Sequence, residues 1–66
     1  MSATDDVARV LANAEQPPTT AEVVTALGGS YGEEEVLDAL EHWHREIEAE
    51  QGVDDRWYWR GAPVPD

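Results

Sequence analysis

The chain contains no cysteine, no lysine and no phenylalanine. Without cysteine it has neither a disulfide nor a thiolate zinc site to staple it. A core must therefore come from aliphatic side chains together with Trp43, Trp57 and Trp59. No apolar run approaches the roughly 18 residues that a membrane-spanning helix needs. The first stretch, MSATDDVARVLANAEQPP, carries early acids and does not read as a signal peptide. A soluble, cytoplasmic protein is expected. With 66 residues there is room for one small domain, and a body of that size buries only about 60% of the surface its unfolded chain exposes.

Positive charge is the scarcest commodity. Four arginines stand against fifteen Asp and Glu, giving a formal net charge of −11. A field of that size repels nucleic acid and anionic lipid and opposes compaction. The absence of Lys beside abundant acids resembles the composition of proteins from extreme halophiles. In molar salt the Debye length falls to about 3 Å and the self-repulsion is screened. An acidic protein from a GC-rich mesophile, with Arg in place of Lys, has a similar composition.

Against that background the pattern of elements is readable. In TDDVARVLANAE, Thr4 is a candidate N-cap and Asp5 and Asp6 suit the positive end of a helix. Val7, Val10, Leu11 and Ala14 fall on one face, and the helix is expected to stop before Pro17. QPPTT is a connector. Thr19 and Glu22 form a capping box for a short second helix with Val23, Val24 and Leu27 as its stripe, and Gly28 stands at a left-handed C-cap. In GGSYG, Ser30 and Glu33 predict a second capping box, and Tyr31 is placed to staple the turn to the core. The third helix, EEEVLDALEHWHR, turns Val36, Leu37, Leu40 and Trp43 inward. It turns Glu34, Glu35, Asp38, Glu41, His42 and Arg45 mainly outward.

The run GVDDRWYWRG, residues 52–61, collects two tryptophans, a tyrosine and two of the four arginines. It reads either as a basic-aromatic grip on nucleic acid or as a hairpin that seals the core. EIEAE and RWYWR both alternate with period two, and QGVDD joins them. Pairing 50 with 56, 48 with 58 and 46 with 60 gives consistent faces. Ala49 then meets Trp57 and Ile47 meets Trp59 inside, while Glu50 meets Arg56 and Glu46 meets Arg60 outside. Such cross-strand pairs stabilise by roughly 0.2–1 kcal/mol each, and a one-residue slip would expose both tryptophans. The hairpin is the preferred reading. A short third strand is expected near Thr19, and GAPVPD reads as a flexible tail after an ordered body of about residues 5–61.

Three helices followed by a hairpin is the element order of the winged helix-turn-helix domain. TTAEVVTALGG resembles that family's second helix, EEEVLDALEHW its third, and EIEAEQGVDDRWYWRG its wing. The chain thus resembles a small, acidic, halophile-like member over residues 5–61. The fold this implies is mainly α with a small β-hairpin, three helices plus a two-stranded wing, in one domain. The resemblance implies gene regulation, with the third helix entering the major groove and the wing touching the backbone in members that bind DNA. The residues themselves oppose that chemistry, because phosphate affinity comes from cations and the third helix presents carboxylates.

The best contact surface in the sequence is therefore Arg56, Tyr58 and Arg60 on the outer face of the wing, with Arg45 at the end of the third helix. Tyr and Arg are enriched where binding energy concentrates. The expected function is a non-enzymatic, transcription-associated regulator acting mainly through protein contact, as a homodimer or with a larger partner. Direct, salt-tolerant DNA binding is one alternative and an acidic DNA-mimicking antirepressor is another. No catalytic residue, cofactor site or metal site is expected. The two serines are a terminal residue and a turn residue, no glycine motif cradles phosphate, and no small-molecule substrate is indicated. His42 and His44, two apart, face different ways on a helix and have no close third ligand.

Overall fold

In the computed structural model, which describes residues 2–61, three helices precede a two-stranded antiparallel hairpin. The helices are α1 (Ala3–Asn13), α2 (Thr20–Ala26) and α3 (Glu33–Arg45), and the strands are β1 (Ala49–Gln51) and β2 (Trp57–Trp59). This is the mainly helical, winged arrangement expected. The tail Ala62–Asp66 lies outside the described residues.

α1 and α2 begin where a side chain satisfies an amide of the first turn. The Thr19 hydroxyl accepts from the Glu22 N–H at 3.2 Å, and the Thr19 N–H donates to Glu22 Oε1 at 2.8 Å, which completes the expected capping box. The other two starts differ from expectation. Ser2, not Thr4, caps α1, because its Oγ reaches the Asp5 N–H at 3.3 Å while Thr4 lies inside the first turn. At α3 the cap is Gly32, not Ser30. Only half a box forms, with the Gly32 N–H donating to Glu35 Oε1 at 3.5 Å, and the acids Glu33, Glu34 and Glu35 complement the helix dipole.

The core is Val7, Ala8 and Leu11 of α1, Val23 of α2, Val36, Ala39 and Leu40 of α3, Ala49 of β1 and Trp57 of β2. Val10, Val24, Leu27, Tyr31, Trp43 and Trp59 pack around it, half-buried. Ala14, expected inside, is exposed just past the end of α1. Two long-range hydrogen bonds lock α1 in place. The Trp43 indole Nε1–H donates to the Thr4 carbonyl at 2.8 Å, and the Tyr31 hydroxyl donates to Asp6 Oδ2 at 2.6 Å. Tyr31 thereby staples the α2–α3 turn to α1.

The hairpin forms in a register two residues away from the sequence expectation. Ala49 faces Trp59, Glu50 faces Tyr58 and Gln51 faces Trp57. A shift of two keeps every side chain on its face, so Ala49 and Trp57 remain inside while Glu50 and Tyr58 remain outside. Two local events cause the shift. The loop is tighter than QGVDD: the Gly52 N–H bonds the Arg56 carbonyl, the Asp55 N–H bonds the Gly52 carbonyl, and Asp55 takes the left-handed conformation at φ 62°. That is a type I turn followed by a left-handed residue, a common three-residue hairpin loop.

At the other end, α3 closes before any strand can start. The Glu48 N–H donates to the Trp43 carbonyl at 2.9 Å and the Ile47 N–H to the His44 carbonyl at 3.1 Å. This pair of bonds is the Schellman closure, and it forces Ile47 to φ 60°. Ile47 is therefore not the strand residue the alternation predicted. It leaves the core and stands 80% exposed. Near Thr19 the expected third strand is reduced to a single antiparallel bridge to Arg56, supplemented by the Trp57 N–H bonding the Pro18 carbonyl at 2.7 Å.

A β-branched residue in the left-handed region is strained by roughly 1–2 kcal/mol. Asp tolerates that region better. Ile47→Gly is therefore expected to stabilise the fold by about 1 kcal/mol, after allowing for the extra freedom of glycine in the unfolded chain. Asp55→Gly should stabilise it by less. Urea unfolding of both variants checks the order; a destabilised Ile47→Gly would contradict it.

Candidate functional site

The wing sets the four residues singled out by the sequence in distinct environments. Arg56, Tyr58 and Arg60 share the outer face of β2 and its flanks, but their head groups diverge. Arg56 reaches away from β1, and its Nη1 donates to the Pro17 carbonyl at 2.7 Å and to Glu22 Oε1 at 3.1 Å. Arg60 reaches the opposite way and pairs with Glu50 Oε2 at 2.6 Å. The expected partners, Glu50 for Arg56 and Glu46 for Arg60, are thus replaced, as the register shift requires. Arg45 ends α3, exposed, and makes no ion pair among the described residues.

Tyr58 lies between the two arginines, 40% exposed. Its hydroxyl donates to Asp54 Oδ2 at 3.2 Å in the hairpin loop. The ring lies over Gly52, where an added Cβ would come within 2.8 Å of its Cε1. Asp54 also accepts the Arg56 N–H at 3.2 Å. The loop is therefore tied to β2 on both sides, and Tyr58 serves the hairpin as well as the surface.

The inward half of the basic-aromatic run closes the core. Trp57 is only 4% exposed, and its indole Nε1–H donates to Thr20 Oγ1 at 2.9 Å. Trp59 is half-buried and meets Trp43 edge-on, centroids 5.4 Å apart and planes at 79°. Edge-to-face contacts of this kind contribute roughly 0.5–1.5 kcal/mol beyond burial. The His44 ring approaches Trp57 edge-on at 6.3 Å, and His42 stacks edge-on against Trp43 at 4.9 Å, so His42 is less outward than expected.

The solvent face of α3 carries Glu33, Glu34, Glu35, Asp38 and Glu41, all exposed. No group of three His, Asp and Glu side chains among the described residues could hold a metal ion, and no helix among them is long and apolar enough to cross a membrane. The residue that the sequence reading missed is Ile47. Nothing in HREIEAE marks a helix stop, since the left-handed position carries no glycine. Comparison with family models, with curated proteins and with solved structures gives no match for this chain.

Among the described residues, four ionisable groups are displaced by their neighbours. The Thr19 N–H that Glu22 accepts, aided by Arg56, holds the Glu22 carboxyl below the usual range, and the Arg56 N–H does the same for Asp54. The bonds to Asp6 and Asp54 push the Tyr31 and Tyr58 hydroxyls up. Lowered carboxyls contribute stability that is present above their unfolded pKa of about 4 and is lost as pH falls through the folded values. Raised tyrosines contribute stability that is present below about pH 10 and is lost as pH rises through the folded values. Unfolding free energy is therefore expected to fall on both flanks. The double variant Tyr31→Phe with Tyr58→Phe should lose the alkaline decline and keep the acid one. An alkaline decline of unchanged size in that variant, followed by urea unfolding across pH, would contradict the assignment.

Proposed function

We propose that the protein is a non-enzymatic winged-helix regulator associated with transcription, acting mainly through protein–protein contact. The observation that carries this reading is how the scarce cations are used. Arg56 is held by Glu22 and Arg60 by Glu50, while the helix that would meet a major groove presents Glu33, Glu34, Glu35, Asp38 and Glu41 to solvent. DNA affinity depends on cations that displace counterions from phosphates. Freeing either arginine would break its ion pair, and among the described residues Arg45 alone of the arginines makes no ion pair. Molar salt would screen the acids, but it would also weaken the phosphate attraction.

The transcriptional part of the reading rests on the resemblance of the helices and wing to the winged helix-turn-helix family. Fold alone does not fix function. The non-enzymatic part rests on the lack of a nucleophile with an oriented base partner in the sequence. Salt-tolerant DNA binding and antirepressor action by DNA mimicry are the competing readings. The arrangement of the arginines weighs against the first. The second would bind a basic protein with an affinity that falls steeply with salt.

The test is a heteronuclear NMR titration of the labelled protein with mixed-sequence duplex DNA, in low and in molar KCl. No shift at Arg45, Arg56, Tyr58 or Arg60 is expected in either salt. Saturable shifts at those residues in either one would overturn the protein-contact reading in favour of DNA binding.

A further inference from the structure

Two helix stops compete at the end of α3. The one in use is Ile47, a β-branched residue held at φ 60° with its side chain 80% exposed. The one passed over is Gly52, a residue of the type that ordinarily takes the left-handed position after a helix. Between them stand Glu48, Ala49, Glu50 and Gln51, all good helix formers, with no glycine or proline to interrupt. The apolar stripe also runs on. Val36, Leu40, Trp43 and Ile47 recur at the spacing of one helical face, yet only the first three follow it in the fold. Left-handed strain in a residue of this kind persists only where its surroundings hold it, and it clusters at switch regions.

We propose that the junction of α3 and β1 is a two-state hinge. In its minor state Ile47 turns to the helical region, α3 runs on through Gln51 to a closure at Gly52, and β1 dissolves. Backbone bonds at the junction are exchanged rather than lost. The Ile47 N–H, now on the His44 carbonyl, moves to Trp43, and the Glu48 N–H, now on Trp43, moves to His44. Six further residues of helix carry its end about 9 Å onward. The chain from Gly52 to Trp57 has about 17 Å of reach, so Trp57 need not move. Its bonds to Thr20 and to the Pro18 carbonyl do not involve β1. Three ties keep the observed state the major one. Ala49 is only 2% exposed and belongs to the core. The Arg60 N–H bonds the Glu48 carbonyl and the Gly52 N–H bonds the Arg56 carbonyl. Arg60 also pairs with Glu50. In the longer helix Glu46 and Glu50 would stand four apart and repel. The hinge has a consequence for the surface of the wing. Extension carries Glu50 away from Arg60, so a partner that prefers a released Arg60 draws the hinge toward the extended state. This holds whichever class of partner the protein takes.

The test is relaxation-dispersion and saturation-transfer NMR on the full chain labelled with ¹³C and ¹⁵N. Residues 46–51 are expected to exchange on the μs–ms timescale with a state populated within about 0.1–10%, whose Cα shifts at Ile47–Gln51 are helical. The Trp57 indole should show no such exchange. Ile47→Gly relieves the strain of the observed state and weakens the helix of the minor one, so the minor population should fall about tenfold or more. Ile47→Asn, which also tolerates the left-handed position, should lower it in the same direction if the glycine variant folds poorly. Arg60→Gln removes one tie and should raise the population about twofold. Flat dispersion at residues 46–51 in both the native chain and Arg60→Gln would overturn the hinge. So would a minor state with random-coil shifts, which is fraying of the wing, or a population unchanged in both Ile47 variants.

Discussion

The Trp57 indole is the interaction on which the arrangement of the wing depends. A two-stranded hairpin is marginal by itself in water, and this one has only three residues in each strand. Trp57 makes it part of the domain. Its ring enters the core formed by all three helices, its Nε1–H meets Thr20 in the first turn of α2, and its backbone N–H meets Pro18 in the connector. The Arg56 side chain adds a second tie to the same region through Pro17 and Glu22. One stretch of β2 thus fixes the connector, the start of α2 and the lid of the core. In a body too small for a large apolar interior, an aromatic side chain that also satisfies its polar atom supplies burial without an unpaired donor.

Charge is the second constraint, and it explains how the arginines are spent. Three of the four stand beside carboxylates: Arg9 with Asp6, Arg56 with Glu22 and Arg60 with Glu50. Exposed pairs of this type contribute little individually. Their arrangement matters more than their energy, because it leaves the outer face of the wing nearly neutral and the solvent face of α3 strongly acidic. The question raised by GVDDRWYWRG is answered by this division. The tryptophans point inward, the arginines are tied to acids on either side, and only Tyr58 remains partly open between them.

Much of the architecture is legible in the sequence because it depends on local chemistry. Thr19 with Glu22 and the left-handed Gly28 act within a few residues and appear where expected, as do Val36, Leu40 and Trp43 of the α3 stripe, whereas Leu37 stays outside the core cluster. The inward and outward faces of the hairpin are legible because a period of two survives a shift of two. The register itself is not. It depends on where α3 stops, and α3 stops at an isoleucine in a conformation that favours glycine. No propensity rule places a helix terminus there. The cap of α1 is not legible either, for a smaller reason: Ser2 and Thr4 are both good caps, and only the reach of Ser2 to Asp5 decides between them. Of the candidate contact residues, the sequence could place Arg56, Tyr58 and Arg60 on one strand face. It could not foresee that their head groups part, since that depends on Glu22 arriving from α2.

The most direct measurement is hydrogen exchange at the indole N–H groups, followed by NMR. The Trp57 indole, bonded to Thr20, is expected to exchange as slowly as the slowest core amides, because Trp57 leaves the core only when the whole domain unfolds. A Trp57 indole that exchanges as fast as a freely exposed one, while the helices stay protected, would contradict this. It would mean that the wing is a detachable flap and that its aromatic run is free to serve another purpose.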